Sequence, residues 1–287
     1  MQFDIPPFTW SMRRREMLQR CPWEYYCHYC GSAGGAFIGE NAVENERLHL
    51  LRNAASTQEY VRRIIYARIR ELFNSGAVTA GNFCSDLEEI FRREFRDMLW
   101  GKPAADHKKP LLSELTLRNA QPQALAENVT ALLRREAALL LPETLPFLFS
   151  VPADARILLA YPLKVCWNDL DCYVTPIAAW LDDRGFSFVC AGKESEENSA
   201  LLCFYALTQF NIPPEKVNIF HFEEGKLESA AKLLSASAPF RRIRKDADEM
   251  LLLDLKLKNT KVPEWLFPRS MSHCSDCRFA SFCTEEV

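Results

Sequence analysis

Near the end of this 287-residue chain, His273-Cys274-Ser275-Asp276-Cys277-Arg278-Phe279-Ala280-Ser281-Phe282-Cys283 sets three cysteines in a C-x2-C-x5-C pattern. Packing of small apolar groups does not need that spacing, whereas thiolates gathered on one centre do. A fourth ligand has to come from elsewhere. Three local thiolates and a remote one meet the demand of a cubane cluster, each of whose four irons takes one sulfur. Cys21 is a remote candidate: in Cys21-Pro22-Trp23-Glu24-Tyr25-Tyr26 the proline starts a helical turn and the aromatic rings shield a cluster from water. Cys27 and Cys30 compete for the role. They form a second C-x2-C, so a tetrahedral zinc site on Cys27, Cys30, Cys274 and Cys277 is the rival chemistry. Cys84, Cys166, Cys172, Cys190 and Cys203 sit singly in apolar patterns and are expected to be small buried hydrophobes.

The compartment bears on this choice. The N-terminal MQFDIPPFTW has no basic segment leading into an apolar one, and the longest apolar runs, such as 137–141, are too short to span a bilayer. The expectation is a cytoplasmic protein with no membrane partner, in which thiols stay reduced and eleven cysteines do not form a disulfide framework. With 48% hydrophobic and 25% charged residues, the chain can bury the core of one large domain or two intimate ones. Its net charge of −3 supplies no global basic field, so any nucleic-acid surface has to be a local patch.

The pattern along the chain is helical first. Ser56-Thr57-Gln58-Glu59 reads as a capping box, opening a helix with Val61, Ile64, Ile65, Ile69, Leu72 and Phe73 on one face. Helices are predicted near 86–100, with Leu87, Ile90, Phe91, Phe95, Met98 and Leu99 at helical spacing, and over 121–140. Short β-branched and aromatic runs follow at 156–161, 163–167, 172–180 and 186–190, the last two joined by Asp182-Asp183-Arg184-Gly185, and read as an antiparallel meander. A helix over 198–210 capped by Asn198 and a strand from Val217 to Phe222 complete an α-β-β-β-α-β order in an α+β fold. The expected organisation is a helical region over 1–150, a β-rich core over 151–225 and a helical C-terminal region over 226–287, all in one compact unit.

Ser11, Cys21-Pro22-x-x-Tyr25-Tyr26, Tyr29, Gly31-Ser32, the meander and Cys274-x2-Cys277-Arg278-Phe279-x3-Cys283 together resemble the iron–sulfur branch of the PD-(D/E)xK nuclease superfamily. These are the RecB/AddB-like and CRISPR-adaptation exonuclease relatives, and the resemblance spans nearly the whole chain. It implies a [4Fe–4S] cluster stapling the chain ends, with Cys21, Cys274, Cys277 and Cys283 as ligands.

The resemblance also implies a Mg²⁺ or Mn²⁺ site built from a helix His, a strand Asp, an (Asp/Glu)-x-Lys and a Gln-x3-Tyr. Here the helix carries Tyr66 or an arginine in place of His, and Val174-Thr175-Pro176-Ile177-Ala178 has no carboxylate. Val189-Cys190-Ala191-Gly192-Lys193 keeps at most the lysine, and Leu201 to Tyr205 keeps only the tyrosine. Lys193 and Tyr205 are the vestiges. Thiol, methyl and proline are poor partners for a hard cation that wants oxygen ligands, so catalysis is expected to be lost.

Relocated ligands would have to come from Asp169, Asp171, Glu194, Glu196 or Glu197. Basic runs at Arg13–Arg15, Arg62-Arg63, Arg92-Arg93 and Arg241–Lys245 offer phosphate contacts, with Arg62, Arg63 and Lys193 nearest the old site, or they are solvated helix faces paired with nearby Glu. Three functions follow from the resemblance: a nuclease-dead nucleic-acid-binding or scaffold protein in DNA repair, recombination or defence, an active exonuclease with relocated metal ligands, and a subunit that contacts only protein, such as a helicase or repair factor.

Overall fold

A computed structural model describes residues 8–30, 42–75, 82–101, 110–116, 120–142, 144–230, 237–259, 274, 277–280 and 283. It is a mixed α+β chain. Strand β1 (Thr9–Trp10) leads into helices α1 (Met12–Arg20) and α2 (Pro22–Tyr25), and a π-helical turn (Tyr26–Cys30) follows at once. Next come α3 (Ala42–Asn53), β2 (Ala54–Ala55) and α4 (Thr57–Ser75). The capping box forms: Ser56 Oγ accepts from Glu59 N at 3.3 Å, and Glu59 Oε2 accepts from Ser56 N at 3.1 Å. All six predicted core residues of α4 are buried.

Helix α5 (Phe83–Leu99) buries Leu87, Phe91, Phe95 and Met98, while Leu99 is half exposed where the helix ends. Short β3 (Leu111–Leu112) and α6 (Ser113–Thr116) lead to α7 (Pro122–Leu140), which buries Leu125, Val129, Leu133 and Ala137 at helical spacing, and then to α8 (Thr144–Phe149).

The β region departs from a single meander. Its elements are β4 (Arg156–Ile157), β5 (Leu163–Trp167), β6 (Leu170–Val174), β7 (Ala178–Asp182), β8 (Gly185–Cys190), α9 (Glu196–Phe210), β9 (Val217–His221) and β10 (Lys226–Ser229). The run predicted as one strand over 172–180 is two strands in different sheets. Pro176 lies between them, and a residue without an N–H cannot continue a paired ladder. The sheets are ordered β1-β6-β5 and β10-β9-β8-β7-β4, with β8 and β9 parallel across the α9 crossover.

Two further details differ from the sequence reading. The cap of α9 is Ser195, whose Oγ accepts from Asn198 N at 3.1 Å, so Asn198 lies inside the first turn. Cys166 faces solvent because β5 alternates and Leu163 and Val165 take its buried side. The β7–β8 turn forms as predicted: Asp182 Oδ1 accepts from Arg184 N at 2.9 Å, and Gly185 has φ 121°, where a Cβ would collide with the Lys216 carbonyl.

Every residue of β8 is buried, so the larger sheet is covered on both faces. One apolar cluster joins Phe186, Phe188, Val217 and Ile219 to α9, to α10 (Ala238–Asn259) and to the N-terminal segment with Trp10, Cys21, Trp23 and Cys27. The other joins Ile177, Trp180, Val189 and Phe220 to α4, α5, α7 and α8. Each cluster mixes residues from two or more of the three expected regions. Among the described residues no helix is long and apolar enough to cross a membrane.

Candidate metal centre and the nuclease-type positions

Cys21 stands at the junction of two helices. Its extended backbone (φ −157°, ψ 109°) ends α1 and caps α2, and its Sγ accepts from Glu24 N at 3.4 Å. Burial pushes its thiol pKa up, the Glu24 and Trp23 N–H groups pull it down, and the fields of Glu24 and Cys274 push it up again. At the other chain end, Cys277 N donates to Cys274 O at 3.2 Å, and Ala280 N to Cys277 O at 3.3 Å. Phe279 is fully buried in the same apolar cluster as Cys21. Arg278 anchors this segment by donating to the Arg52 and Ala54 carbonyls and pairing with Glu59 at 3.4 Å.

The four expected ligands are gathered on one side of the molecule. Burial pushes the Cys277 thiol up to about 11, against the Phe279 N–H and with the fields of Glu24, Cys21 and Cys274. Cys283 is pushed up to about 12 by burial and then by Cys277, Cys21 and Cys274. Cys27, fully buried in the π turn, is pushed well up by burial and by the fields of Cys283, Cys277 and Cys21, so a fifth thiol lies within reach of the same fields. Cys30 is turned differently, with Sγ 3.7 Å from Asp254 Oδ1 on α10. Charges act on one another over longer distances than coordination allows. Among the described residues no group of three or more His, Cys, Asp and Glu is arranged to hold a metal ion.

The surroundings suit a soft, negatively charged centre. The donors are thiols, two of which already accept backbone N–H bonds. Trp23 and Tyr26 stack at 5.4 Å and Tyr25 packs on Tyr29 at 5.2 Å, forming an aromatic wall. Arg20 and Arg278 each lie within the field of Cys277 and offset thiolate charge. His28, in the same π turn, is held near a pKa of about 2 by burial and by Arg13, Arg52, Arg278 and Arg14, so it is neutral and surrounded by guanidinium groups.

The nuclease-type positions read differently. Ile177 is buried with Val189 and Phe222, and Tyr66 and Ala191 pack against the same cluster. Alkyl side chains and the Tyr66 phenol therefore occupy most of the space between α4 and the sheet. Glu223, one residue past the expected end of the β9 strand, also lies here. It accepts from Tyr66 Oη at 2.5 Å, pairs with Arg62 at 3.6 Å, and sits where a Cβ on Gly192 would touch it at 3.2 Å. Nothing in the sequence marked Glu223, because only the β8–β9 register carries it to this place.

The other candidates are scattered. Tyr205 lies on the opposite face, edge-on to Phe188 and Phe210. Arg63 lies over the Tyr60 ring at 5.1 Å. Lys193 is exposed and shares a cavity of about 450 Å³ with Met12, Arg13, Glu16, Glu194, Ser195 and Asn198. Glu194 is largely buried. Burial raises its carboxyl pKa, opposed by hydrogen bonds from Asn198 and Cys190 and by His221, with Glu16 adding to the rise. Glu196 and Glu197 are both held by Arg242, and Asp171 pairs with Lys164 at 2.7 Å. The acids considered as relocated ligands thus do not converge with one another.

In comparisons with known protein families, curated proteins and solved structures, the chain matches none.

Proposed function

We propose that this chain is a catalytically degenerate iron–sulfur protein of the PD-(D/E)xK nuclease kind that binds nucleic acid, as a recognition or scaffold component in DNA repair, recombination or defence. The observation that carries the reading is that Cys21, from one end of the chain, and Cys274, Cys277 and Cys283, from the other, lie within one another's electrostatic reach, with Arg20 and Arg278 in the field of Cys277. A [4Fe–4S] cluster bound by those four thiolates supplies a cross-link between the chain ends. Cys21 is favoured as fourth ligand over Cys30, whose thiol is engaged by Asp254, and over Cys27, for which no backbone N–H bond reaches the sulfur among the described residues.

Loss of catalysis is supported by Ile177, Ala191 and Tyr66, which put alkyl and phenol groups where a divalent cation needs several oxygens. Nucleic-acid binding is supported by exposed Arg13 and Lys193, which line one cavity together with Glu16 and Glu194, and by half-exposed Arg62 on α4.

A Mg²⁺- or Mn²⁺-dependent exonuclease with relocated ligands draws on one observation, the Glu223 carboxylate beside Gly192. That carboxylate is already held by Tyr66 and Arg62. Iron and acid-labile sulfide measured on anaerobically purified protein test the cluster: about four of each per chain is the expected result. Stoichiometric zinc with no visible absorbance would overturn it.

A further inference from the structure

A polar row crosses the larger sheet where an apolar one is expected. In register, Trp180 on β7 pairs with Ser187 on β8, Ser187 with Asn218 on β9, and Asn218 with Ser229 on β10. Phe186 and Phe188 on β8, and Val217 and Ile219 on β9, belong to the apolar cluster shared with α9 and α10. Strand alternation therefore aims Ser187 and Asn218 at the opposite face, with Trp180 and Phe220. On a strand whose every residue is buried, a serine and its neighbouring asparagine would be costly against helix side chains, because an unpaired buried hydroxyl or amide loses its hydrogen bonds to water with nothing in return.

Here they face a cavity instead. Its volume is about 560 Å³, within the range of small-ligand sites. Phe147 of α8 reaches over the opening, 4.8 Å from the Phe220 ring and 6.1 Å from Trp180, and is 41% exposed. Arg184 in the β7–β8 turn stands at the rim. Among the described residues, neither the Ser187 and Asn218 side chains nor the Arg184 guanidinium has a hydrogen-bond or ion-pair partner within the protein.

We propose that this cavity is a nucleotide-base site. Phe147, Phe220 and Trp180 form an aromatic wall for a planar heterocycle. The Asn218 amide, with one donor and one acceptor edge, and the Ser187 hydroxyl read its hydrogen-bonding edge, and Arg184 meets the attached phosphate. The base is either that of a free mononucleotide or the terminal base of a strand. The site lies on the face of the sheet opposite the cysteine pocket, so it stands or falls independently of the iron–sulfur reading.

The test is calorimetric titration of the full-length protein with the four nucleoside 5′-monophosphates and with a 5′-phosphorylated single-stranded tetranucleotide. Binding of a monophosphate, weakened at least about tenfold by Asn218→Leu and by Ser187→Val, identifies a free-nucleotide site. Binding of the tetranucleotide alone, weakened by the same changes, identifies a strand-end site. Phe147→Ala and Arg184→Ala weaken either ligand, and Arg184→Ala, in the exposed turn, does so without lowering the melting temperature. Arg184→Ala leaves affinity for the unphosphorylated nucleoside unchanged. Absence of binding by every ligand at millimolar concentration, or binding that survives both Asn218→Leu and Ser187→Val, overturns the proposal.

Discussion

Arg14 and Asp254 are 240 residues apart in the chain, yet Arg14 Nη2 lies 2.8 Å from Asp254 Oδ2, with both side chains about nine-tenths buried. Arg14 Nε also donates to Tyr25 Oη at 2.9 Å and Nη1 to the Thr9 carbonyl at 3.1 Å, and Tyr25 Oη donates to the other Asp254 oxygen at 3.0 Å. The guanidinium lies over the Tyr29 ring at 4.5 Å. This network clamps α1, α2 and the π turn to α10 beside the thiol pocket.

Cutting the network at Asp254 leaves a buried guanidinium without its counter-charge. Asp254→Ala is expected to cost about 3–5 kcal/mol. Arg244→Ala breaks an ion pair with Asp248 in which both side chains are more than half exposed, and its effect is expected to be within error. Urea unfolding of the two variants against the parent protein measures the contrast. Equal, small effects would show that the Arg14 network carries no stability.

The cysteine variants divide by position. Cys21→Ser, Cys274→Ser, Cys277→Ser and Cys283→Ser are each expected to lower iron content and bleach the protein, while Cys30→Ser keeps its colour because that thiol is turned to Asp254. Cys27→Ser is expected to keep the colour as well. Visible absorbance and iron assays after anaerobic purification decide it. Loss of colour in Cys27→Ser with retention in Cys21→Ser would move the fourth ligand to the π turn.

The helical half of this arrangement was legible in the sequence because its causes are local. A capping box and six apolar residues at helical spacing are enough for α4, and α5 and α7 need only their own periodicity. The β region was legible in content but not in pairing. The strand pattern runs through Pro176 as one strand, and which sheet each half joins depends on distant partners such as Thr9 and Trp10, which pair with Asp171 and Cys172. The cysteine spacing pointed to the pocket. It also marked Cys27 as a rival ligand, but it carried no sign of Glu223 beside Tyr66, a placement that comes from tertiary packing.

A cross-link between chain ends acts on both ends together. Removing the cluster by chelation is expected to increase proteolytic cleavage near Cys21 and near Cys277 at the same rate, because each segment loses its partner. Phe279→Ala, which empties a fully buried aromatic site next to Cys277, is expected to cost about 3–5 kcal/mol and to loosen the same two segments with the cluster still bound. Mass-spectrometric mapping of early cleavage sites follows both. Selective opening of the C-terminal segment alone would refute a shared staple.

Glu194 gives the pH dependence a sign. Its carboxyl pKa is raised above the ordinary value of about 4.5, mainly by burial, so between that value and the raised one the folded chain holds a proton that the unfolded chain has released. Stability from this group is complete below about pH 4.5 and falls as pH rises through the window. Glu194→Gln removes the ionisation and also offers a donor to Asn198 Oδ1, which is buried without a partner among the described residues. The variant is expected to gain stability relative to the parent at pH 7 compared with pH 4, as read by thermal melts at both. An equal difference at the two values would show that Glu194 ionises normally in the fold.

Catalysis and binding make separate demands on the residues between α4 and the sheet. Hydrolysis in the resembled superfamily runs on metal-bound oxygens, whereas here Ile177, Ala191 and Tyr66 pack between α4 and the sheet, and the nearby Glu223 is tied to Tyr66 and Arg62. Cluster-loaded protein is therefore expected to show no Mg²⁺- or Mn²⁺-dependent cleavage of linear, nicked or single-stranded DNA above background. Binding depends on charge rather than on metal geometry, so Lys193→Ala, Arg13→Ala and Arg63→Ala are each expected to weaken DNA binding regardless of sequence. Each that meets a phosphate lowers the slope of log affinity against log salt by about one. Arg62→Ala is expected to have a smaller effect, because its charge is shared with Glu223. Metal-dependent cleavage abolished by Glu223→Gln or Glu194→Gln would establish an active site with relocated ligands. Absence of both cleavage and binding at low salt would leave a subunit that contacts only protein.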